Sequence, residues 1–260
     1  MGEIAGLYYE EHGPADGPPV ILSSGLGGSG AYWTPNLPAL AERHRVILYD
    51  HRGTGNSDRA LPPALDVEDM AEDVLALMDG LGIGRASLVG HAAGGVIGLS
   101  LALSHPGRLA SLVVVNGFAR PDPHFVRCME TRLALLEHSG ALVFVRAQPL
   151  FLYPARWIAE HWDKLEAAEA DHVAQFQGKA NVEARIGALA AFDIADRLGE
   201  IETPVLLIAA TDDMLVPDLC SEHLERGLPH ARLERMSGGH ACNVTEPDEF
   251  NRHLLEFLGD

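Results

Sequence analysis

Three positions in this 260-residue chain could do chemistry together: His240, Asp213 and the place filled by Ala92. A histidine held by a carboxylate can give and take a proton, because the acid fixes the ring tautomer and favours the imidazolium. The third position lies in Gly90-His91-Ala92-Ala93-Gly94-Gly95, between the apolar runs Ala86–Val89 and Val96–Leu103. An apolar strand, a glycine-bounded turn and an apolar helix make a nucleophile elbow, written Gly-x-Ser-x-Gly. The turn is so sharp that side chains at Gly90, Gly94 and Gly95 would collide with the strand or the helix. Its centre should be a serine hydroxyl standing over the end of a sheet. Here the residue is Ala92. A membrane span would need about 20 mostly apolar residues, and His91 with four glycines between Leu88 and Leu103 opposes it.

These residues need a sheet to hold them. Strands are expected at Leu7–Glu11, Val20–Ser23, Arg45–Tyr49, Ala86–Val89, Leu112–Val115, Pro204–Ala210 and Ala231–Arg235. An amphipathic helix over Val67–Leu81 presents Met70, Val74, Leu77, Met78 and Leu81 at helical spacing, and a last helix covers Glu249–Leu258. Strands alternating with helices imply an α/β fold with a mostly parallel central sheet covered on both faces. The alternation stops from about Gly117 to Ala191. That stretch reads as helices near Arg127–His138, Ala141–Gln148, Arg156–Glu160, Leu165–Gln177 and Asn181–Ala191. It holds half of the chain's aromatic residues, among them Phe125, Phe144, Phe151, Tyr153, Trp157, Trp162 and Phe176. Each alone is core for its own segment; together they suggest a small, dry pocket. The expected division is a core of residues 1–116 and 192–260, with a helical cap of residues 117–191 inserted over the site.

Ser24-Gly25-Leu26-Gly27-Gly28-Ser29-Gly30 spells GxGxxG after a strand, and Asp50 ends the next one, as a dinucleotide site would require. That reading fails because Pro35 and Pro38 leave no unbroken helix after the third glycine. The competing reading is an oxyanion loop. The backbone N–H groups of Leu26 and Ala93 would point at one developing negative oxygen, and glycine-rich backbone permits that close approach. Asp50-His51-Arg52-Gly53-Thr54-Gly55-Asn56-Ser57 reads as structural, with Asp50 and Arg52 tying loops together.

A formal charge of −18 disfavours nucleic acid and anionic membranes as partners. The first residues, Met1-Gly2-Glu3-Ile4-Ala5-Gly6, carry neither a signal-peptide pattern nor the Ser or Thr of a myristoylation motif. Cys128, Cys220 and Cys242 are odd in number and unrelated in spacing, which reads as reduced thiols of a cytoplasmic protein. No spacing suggests a metal, and no cofactor is expected.

Elbow, acid and histidine, in that order over nearly the whole chain, resemble the α/β-hydrolase superfamily. The resemblance makes Asp213, four residues before Pro217 and just past a strand, the triad carboxylate, with Asp212 as its weaker neighbour. It makes His240, after a glycine pair and before Glu246-Pro247, the base. Ser24 stands where such enzymes often carry a histidine.

A closer resemblance rests on four segments. They are Ser24–Gly30, Ala147-Gln148-Pro149-Leu150-Phe151-Leu152-Tyr153-Pro154-Ala155, Phe176-Gln177-Gly178-Lys179, and Gly238-Gly239-His240-Ala241-Cys242-Asn243-Val244-Thr245. They resemble the hydrolases of oxidative pyrimidine utilisation, which also carry Gly-His-Ala at the elbow. This implies a small anionic substrate, carbamate or aminoacrylate, that decays unaided and is only accelerated, by a monomer or homodimer.

The missing serine bears on that expectation. Losing it costs such enzymes about a millionfold, yet roughly 10³–10⁴ over water remains from binding and the oxyanion hole. That remainder suffices only for a labile substrate. Both candidates need a proton more than a nucleophile, which assigns His240 as general acid. Other groups rank lower. Cys242 has no elbow to present it; Ser23, Ser24 and Ser29 suit loop hydrogen bonds; Lys179 and Arg185 read as solvated helix faces rather than anion binders. A weak esterase using base-activated water and a catalytically silent binding protein are the rival readings.

Overall fold

The protein is described by a computed structural model covering residues 1–259. An eight-stranded sheet runs through it in the order β1-β2-β4-β3-β5-β6-β7-β8. The strands are β1 (Gly2–Ile4), β2 (Leu7–His12), β3 (Pro19–Ser23), β4 (Arg45–Tyr49), β5 (Ala86–His91), β6 (Leu109–Val115), β7 (Val205–Ala210) and β8 (Ala231–Met236). The pairs β1–β2 and β2–β4 are antiparallel, and every other pairing is parallel. Strand β1 was not among the expected elements. It joins β2 through Ala5-Gly6, both at positive φ (51° and 78°). A two-residue hairpin turn needs that geometry, but its usual signal is Asn-Gly or Asp-Gly, so alanine hid it.

Alternate side chains of the parallel strands enter two separate cores. Leu112 and Val114 of β6 pack toward α2 (Val67–Gly80) and α3 (Ala93–Ser104), while Val113 and Val115 face Trp33 and Phe250 on the other side. Strands buried on both faces read as continuous apolar runs, and all six residues of β7 are buried. Helix α2 starts at a capping box in which Asp66 and Asp69 satisfy each other's backbone amides. It buries Val67, Met70, Ala71, Val74, Leu77 and Met78. Helix α3 is apolar on every side, and Ala93 through Ala102 are all buried.

Short helix α1 (Leu37–Leu40) precedes β4. Between β6 and β7 lie α4 (Pro123–Leu152), α5 (Ala155–Glu160), α6 (Trp162–Ala174) and α7 (Lys179–Ala191). Helix α4 is two helices in one, because Gly140 (φ 78°, ψ 179°) breaks it. After β7 come α8 (Leu219–Gly227), α9 (Cys242–Thr245) and α10 (Pro247–Leu258).

The helical insertion is fastened to loops at the carboxyl ends of the strands. The Leu152 carbonyl accepts from the Ala241 amide at 3.0 Å, after β8. Gln177 Nε2 donates to the Leu26 carbonyl at 3.2 Å, after β3, and Asn181 Nδ2 to that of Gly53 at 2.9 Å, after β4. His124 Nε2 donates to the Met214 carbonyl at 2.8 Å, after β7. The aromatic residues divide: Phe125 and Phe144 are buried, Trp157 stacks between Tyr153 and His161, and Trp162 is 56% exposed. Trp162 therefore adds nothing to a dry interior.

Two alanine substitutions separate packing from propensity. A Cβ at Gly94 would sit inside contact distance of the Ser23 carbonyl, backbone that cannot move aside. Gly187, within α7, has open space around it. Gly94→Ala should lower the free energy of unfolding by about 1–3 kcal/mol, and Gly187→Ala should raise it by about 1 kcal/mol. Urea midpoints, read with the m-values, check both.

Candidate active site

Ala92 occupies the vertex between β5 and α3 with φ 47° and ψ −108°, a conformation that L residues rarely adopt. Such backbone costs about 1–3 kcal/mol and persists only where its surroundings hold it. Those surroundings are tight. The Ala92 amide donates to the Val115 carbonyl at 2.8 Å, anchoring the vertex to the end of β6. A Cβ at Gly90 would overlap the Gly94 backbone, and one at Gly95 would lie 2.9 Å from Val114. Ala93 opens α3, so its N–H belongs to the first turn, whose amides have no intrahelical acceptor. Gly25 sits against the vertex, since a Cβ there would be 3.7 Å from that of Ala92 and 2.9 Å from His91 Nδ1. Leu26 follows it in a turn closed by the Gly28 amide donating to the Gly25 carbonyl at 3.0 Å. The loops carrying Leu26 and Ala93 thus meet at Ala92.

His240 Nδ1 donates to Asp213 Oδ2 at 2.7 Å, and both side chains are almost fully enclosed. The other Asp213 oxygen accepts from the Leu215 and Val216 amides at 2.6 and 3.1 Å, which fixes the carboxylate. Asp212 does a different job: its Oδ1 accepts from the Gly238 and Gly239 amides and shapes the turn before the histidine. With Nδ1 committed to Asp213, Nε2 is the ring nitrogen left to act.

The backbone of His240 is pinned from the elbow side. His91 Nε2 donates to its carbonyl at 2.8 Å and Asn116 Nδ2 donates to the same oxygen at 2.9 Å. Asn116, at φ 50° directly after β6, also accepts from the Ala210 amide at 2.8 Å. The His91 ring stacks on Tyr32 (4.8 Å) and meets His240 edge-on (4.6 Å). Burial, aided by the neighbouring His240, pushes the His91 pKa well below its ordinary value, so the ring is neutral. Sequence reasoning missed His91 and Asn116. The signals were slight: one precedes the elbow vertex, the other follows a strand directly.

The lower-ranked groups take other roles. Burial pushes the Cys242 thiol up to about 12, which removes it as a nucleophile at neutral pH. Ser23 Oγ bonds Tyr49 and His51, and Ser29 caps a 3₁₀ turn. The buried Ser24 hydroxyl has no partner among the described residues, so loop hydrogen bonding does not account for it. Lys179 is partly exposed and pairs with Glu137 and Glu183. Arg185 departs from the solvated face expected of it. It is 1% exposed and donates to His51 Nδ1 at 2.8 Å, holding α7 to the loop after β4. Asp50 accepts from the Gly30 and Asn56 amides, and Arg52 binds Asp73 through both oxygens, so both serve loops.

Residues 18–143 match the α/β hydrolase fold family. The chain is 53% identical over 261 residues to a protein of Caulobacter vibrioides (strain NA1000 / CB15N) named "Putative carbamate hydrolase RutD", covering 99% of this chain and 97% of the relative. The chain belongs to the α/β-hydrolase family. A relative of the same name in Variovorax paradoxus (strain S110) is 55% identical, covering 97% of this chain and 96% of that one. Among solved structures, the enol-lactonase from Burkholderia xenovorans LB400 superposes with a TM-score of 0.88 at 26% identity, covering 99% of this chain and 98% of its own. Among the described residues no helix is long and apolar enough to cross a membrane.

Two buried rings make stability pH-dependent. Burial also holds His51 well below its ordinary pKa, with Arg185 adding to the effect. The folded chain keeps both rings neutral while the unfolded chain protonates them below about pH 6.5. Stability is therefore complete above that pH and falls below it, by up to about 1.4 kcal/mol per pH unit for each ring. Urea unfolding between pH 7.5 and 5.5 should show this slope, and His51→Gln with His91→Gln should flatten it.

Proposed function

We propose that this hydrolase accelerates the breakdown of carbamate to ammonia and carbon dioxide, using His240 and Asp213 as a proton-transfer pair without a nucleophile. The observation that carries the reading is the 2.7 Å His240–Asp213 bond set beside an elbow whose vertex is Ala92. A binding protein would have no need of an oriented histidine. An acyl-transfer enzyme would need a hydroxyl at the vertex. Carbamate needs neither. Protonation of its nitrogen weakens the C–N bond, whose electron pair leaves with ammonia, while the carboxylate becomes carbon dioxide.

In this mechanism His240 Nε2 gives that proton and then recovers one from water, so no covalent intermediate forms. Asp213 orients the ring and compensates its positive charge. The Leu26 and Ala93 amides hold a carboxylate oxygen. The absence of a hydroxyl at Ala92 leaves room beside the vertex for the small substrate. Residues 117–191 act as a cap that keeps competing water away. The relatives' names support this substrate, and carbamate would place the enzyme in pyrimidine catabolism. Aminoacrylate is the second substrate consistent with the same pair: it takes a proton on carbon, and water attacks the resulting iminium.

The test is ammonia release from freshly dissolved carbamate. Wild type should accelerate it, His240→Ala should lose about 10²–10⁴ of the acceleration, and Ala92→Ser should retain most of it. Equal acceleration by His240→Ala would sink the mechanism. No acceleration by any of the three would shift the substrate to aminoacrylate, or leave a binding protein.

A further inference from the structure

Arg132 is a cation buried among apolar groups. It is 4% exposed, and among the described residues no carboxylate pairs with it. Its Nη2 donates to Gln148 Oε1, Nη1 approaches the Met129 sulfur at 3.5 Å, and Nε has no hydrogen-bond partner among the described residues. The guanidinium also lies over the rings of Phe144 (5.5 Å) and Phe151 (5.6 Å). Burying an ion in such surroundings is costly, and an apolar side chain of like size would pack there at less expense. Arg52, by contrast, has Asp73, and Arg45 has Glu11.

Its neighbours lead to the site. His124, Cys128 and Arg132 follow at four-residue spacing along one face of α4. The first two touch the Met214 carbonyl, at 2.8 and 3.4 Å, beside Asp213. Phe151 adjoins Leu152, whose carbonyl accepts from Ala241, next to His240. Phe144 packs on Phe176 at 5.7 Å, next to Gln177, which holds the Leu26 carbonyl. The groups around Arg132 are therefore fastened to the acid loop, the histidine loop and the glycine loop.

We infer that Arg132 supplies the fixed positive charge that receives the carboxylate of a small planar anion, and that Gln148 is its positioning residue. The inference rests on the anionic substrate proposed above. Gln148 Nε2 donates to the Phe144 carbonyl at 3.0 Å, which turns Oε1 toward the guanidinium. A glutamate there would hold the arm equally well and cancel its charge. The neutral amide orients without neutralising, and the free Nε with the remaining N–H groups keeps donors for a ligand. Burial lowers the Arg132 pKa only to about 10, so the group stays charged at neutral pH. As carbamate breaks down, its carboxylate loses charge, so a cation beside it favours the bound substrate more than the transition state. Arg132 is then a binding residue, and its loss should raise KM without lowering kcat.

The probe is acrylate, a planar carboxylate with no C–N bond to break, with acrylamide as its neutral counterpart, titrated calorimetrically against wild type, Arg132→Met and Gln148→Glu. Wild type should bind acrylate and not acrylamide. Both variants should bind acrylate roughly 10- to 100-fold more weakly, with a similar rise in KM for carbamate and a largely preserved kcat. Neither should melt below wild type, because one removes an uncompensated charge and the other pairs it. Failure of wild type to bind acrylate, or unchanged affinity in Gln148→Glu, overturns the inference. Acrylate binding through Arg132 without carbamate turnover would instead overturn only the proposed reaction, and turnover with an unchanged KM in both variants only the role of Arg132.

Discussion

Two hydrogen bonds converge on the backbone carbonyl of His240, and the rest of the site depends on them. One comes from His91, immediately before the elbow vertex, and the other from Asn116, at the end of the neighbouring strand. They place a loop from the last strand at a fixed distance from a turn formed 149 residues earlier. A ring held only through its side chain by Asp213 could still swing with its backbone; held at both ends it cannot. The arrangement also requires His91 to be neutral, because an imidazolium would add a buried charge beside His240. Burial keeps it so.

The vertex itself presents a problem of energetics. Ala92 holds strained backbone with no nucleophile to present. The strain is maintained by rigid contacts: the Val115 carbonyl, the overlap-free packing of Gly90 on Gly94, and an α3 buried on every side. Relaxing the turn would swing the Ala93 amide and the His91 ring away together. The geometry is thus kept by groups that act on either side of the vertex, whatever the residue at its centre. Such a frame without a hydroxyl suits a substrate whose bond breaks once a proton arrives.

Much of this was legible in the amino-acid order. Apolar runs at 204–210 and 112–115 identified strands buried on both faces, and the spacing of Met70, Val74, Leu77 and Met78 identified a helix. What escaped was whatever local pattern does not encode. The β1–β2 turn uses Ala5 where glycine or asparagine is the signal. Asn116 is a lone polar residue after a strand, and its role appears only when the His240 loop closes over it. Arg185 sits on a helix rich in alanine with a lysine and a glutamate nearby, so periodicity alone left it exposed, whereas tertiary packing placed it against His51. Arg132 was not singled out from the amino-acid order at all: its burial depends on Phe144 and Phe151, which arrive from beyond the break at Gly140.

The chain's overall charge makes an interior cation more consequential. With a formal charge of −18, the molecule repels a small anion approaching at low ionic strength. Salt damps that repulsion over about 8 Å under physiological conditions, so it governs encounter and leaves the bound state to local groups. Close to the site those groups include the Asp213 carboxylate, already compensated by two backbone amides and His240. An anion placed beside it would meet mostly neutral backbone donors. A guanidinium oriented by an amide and surrounded by aromatic rings changes that balance, because low-dielectric walls leave its charge unscreened. On the proposed reaction, steering by the surface and binding by the interior act in opposite directions, and the preference for an anion over neutral amides and esters is assigned to the interior.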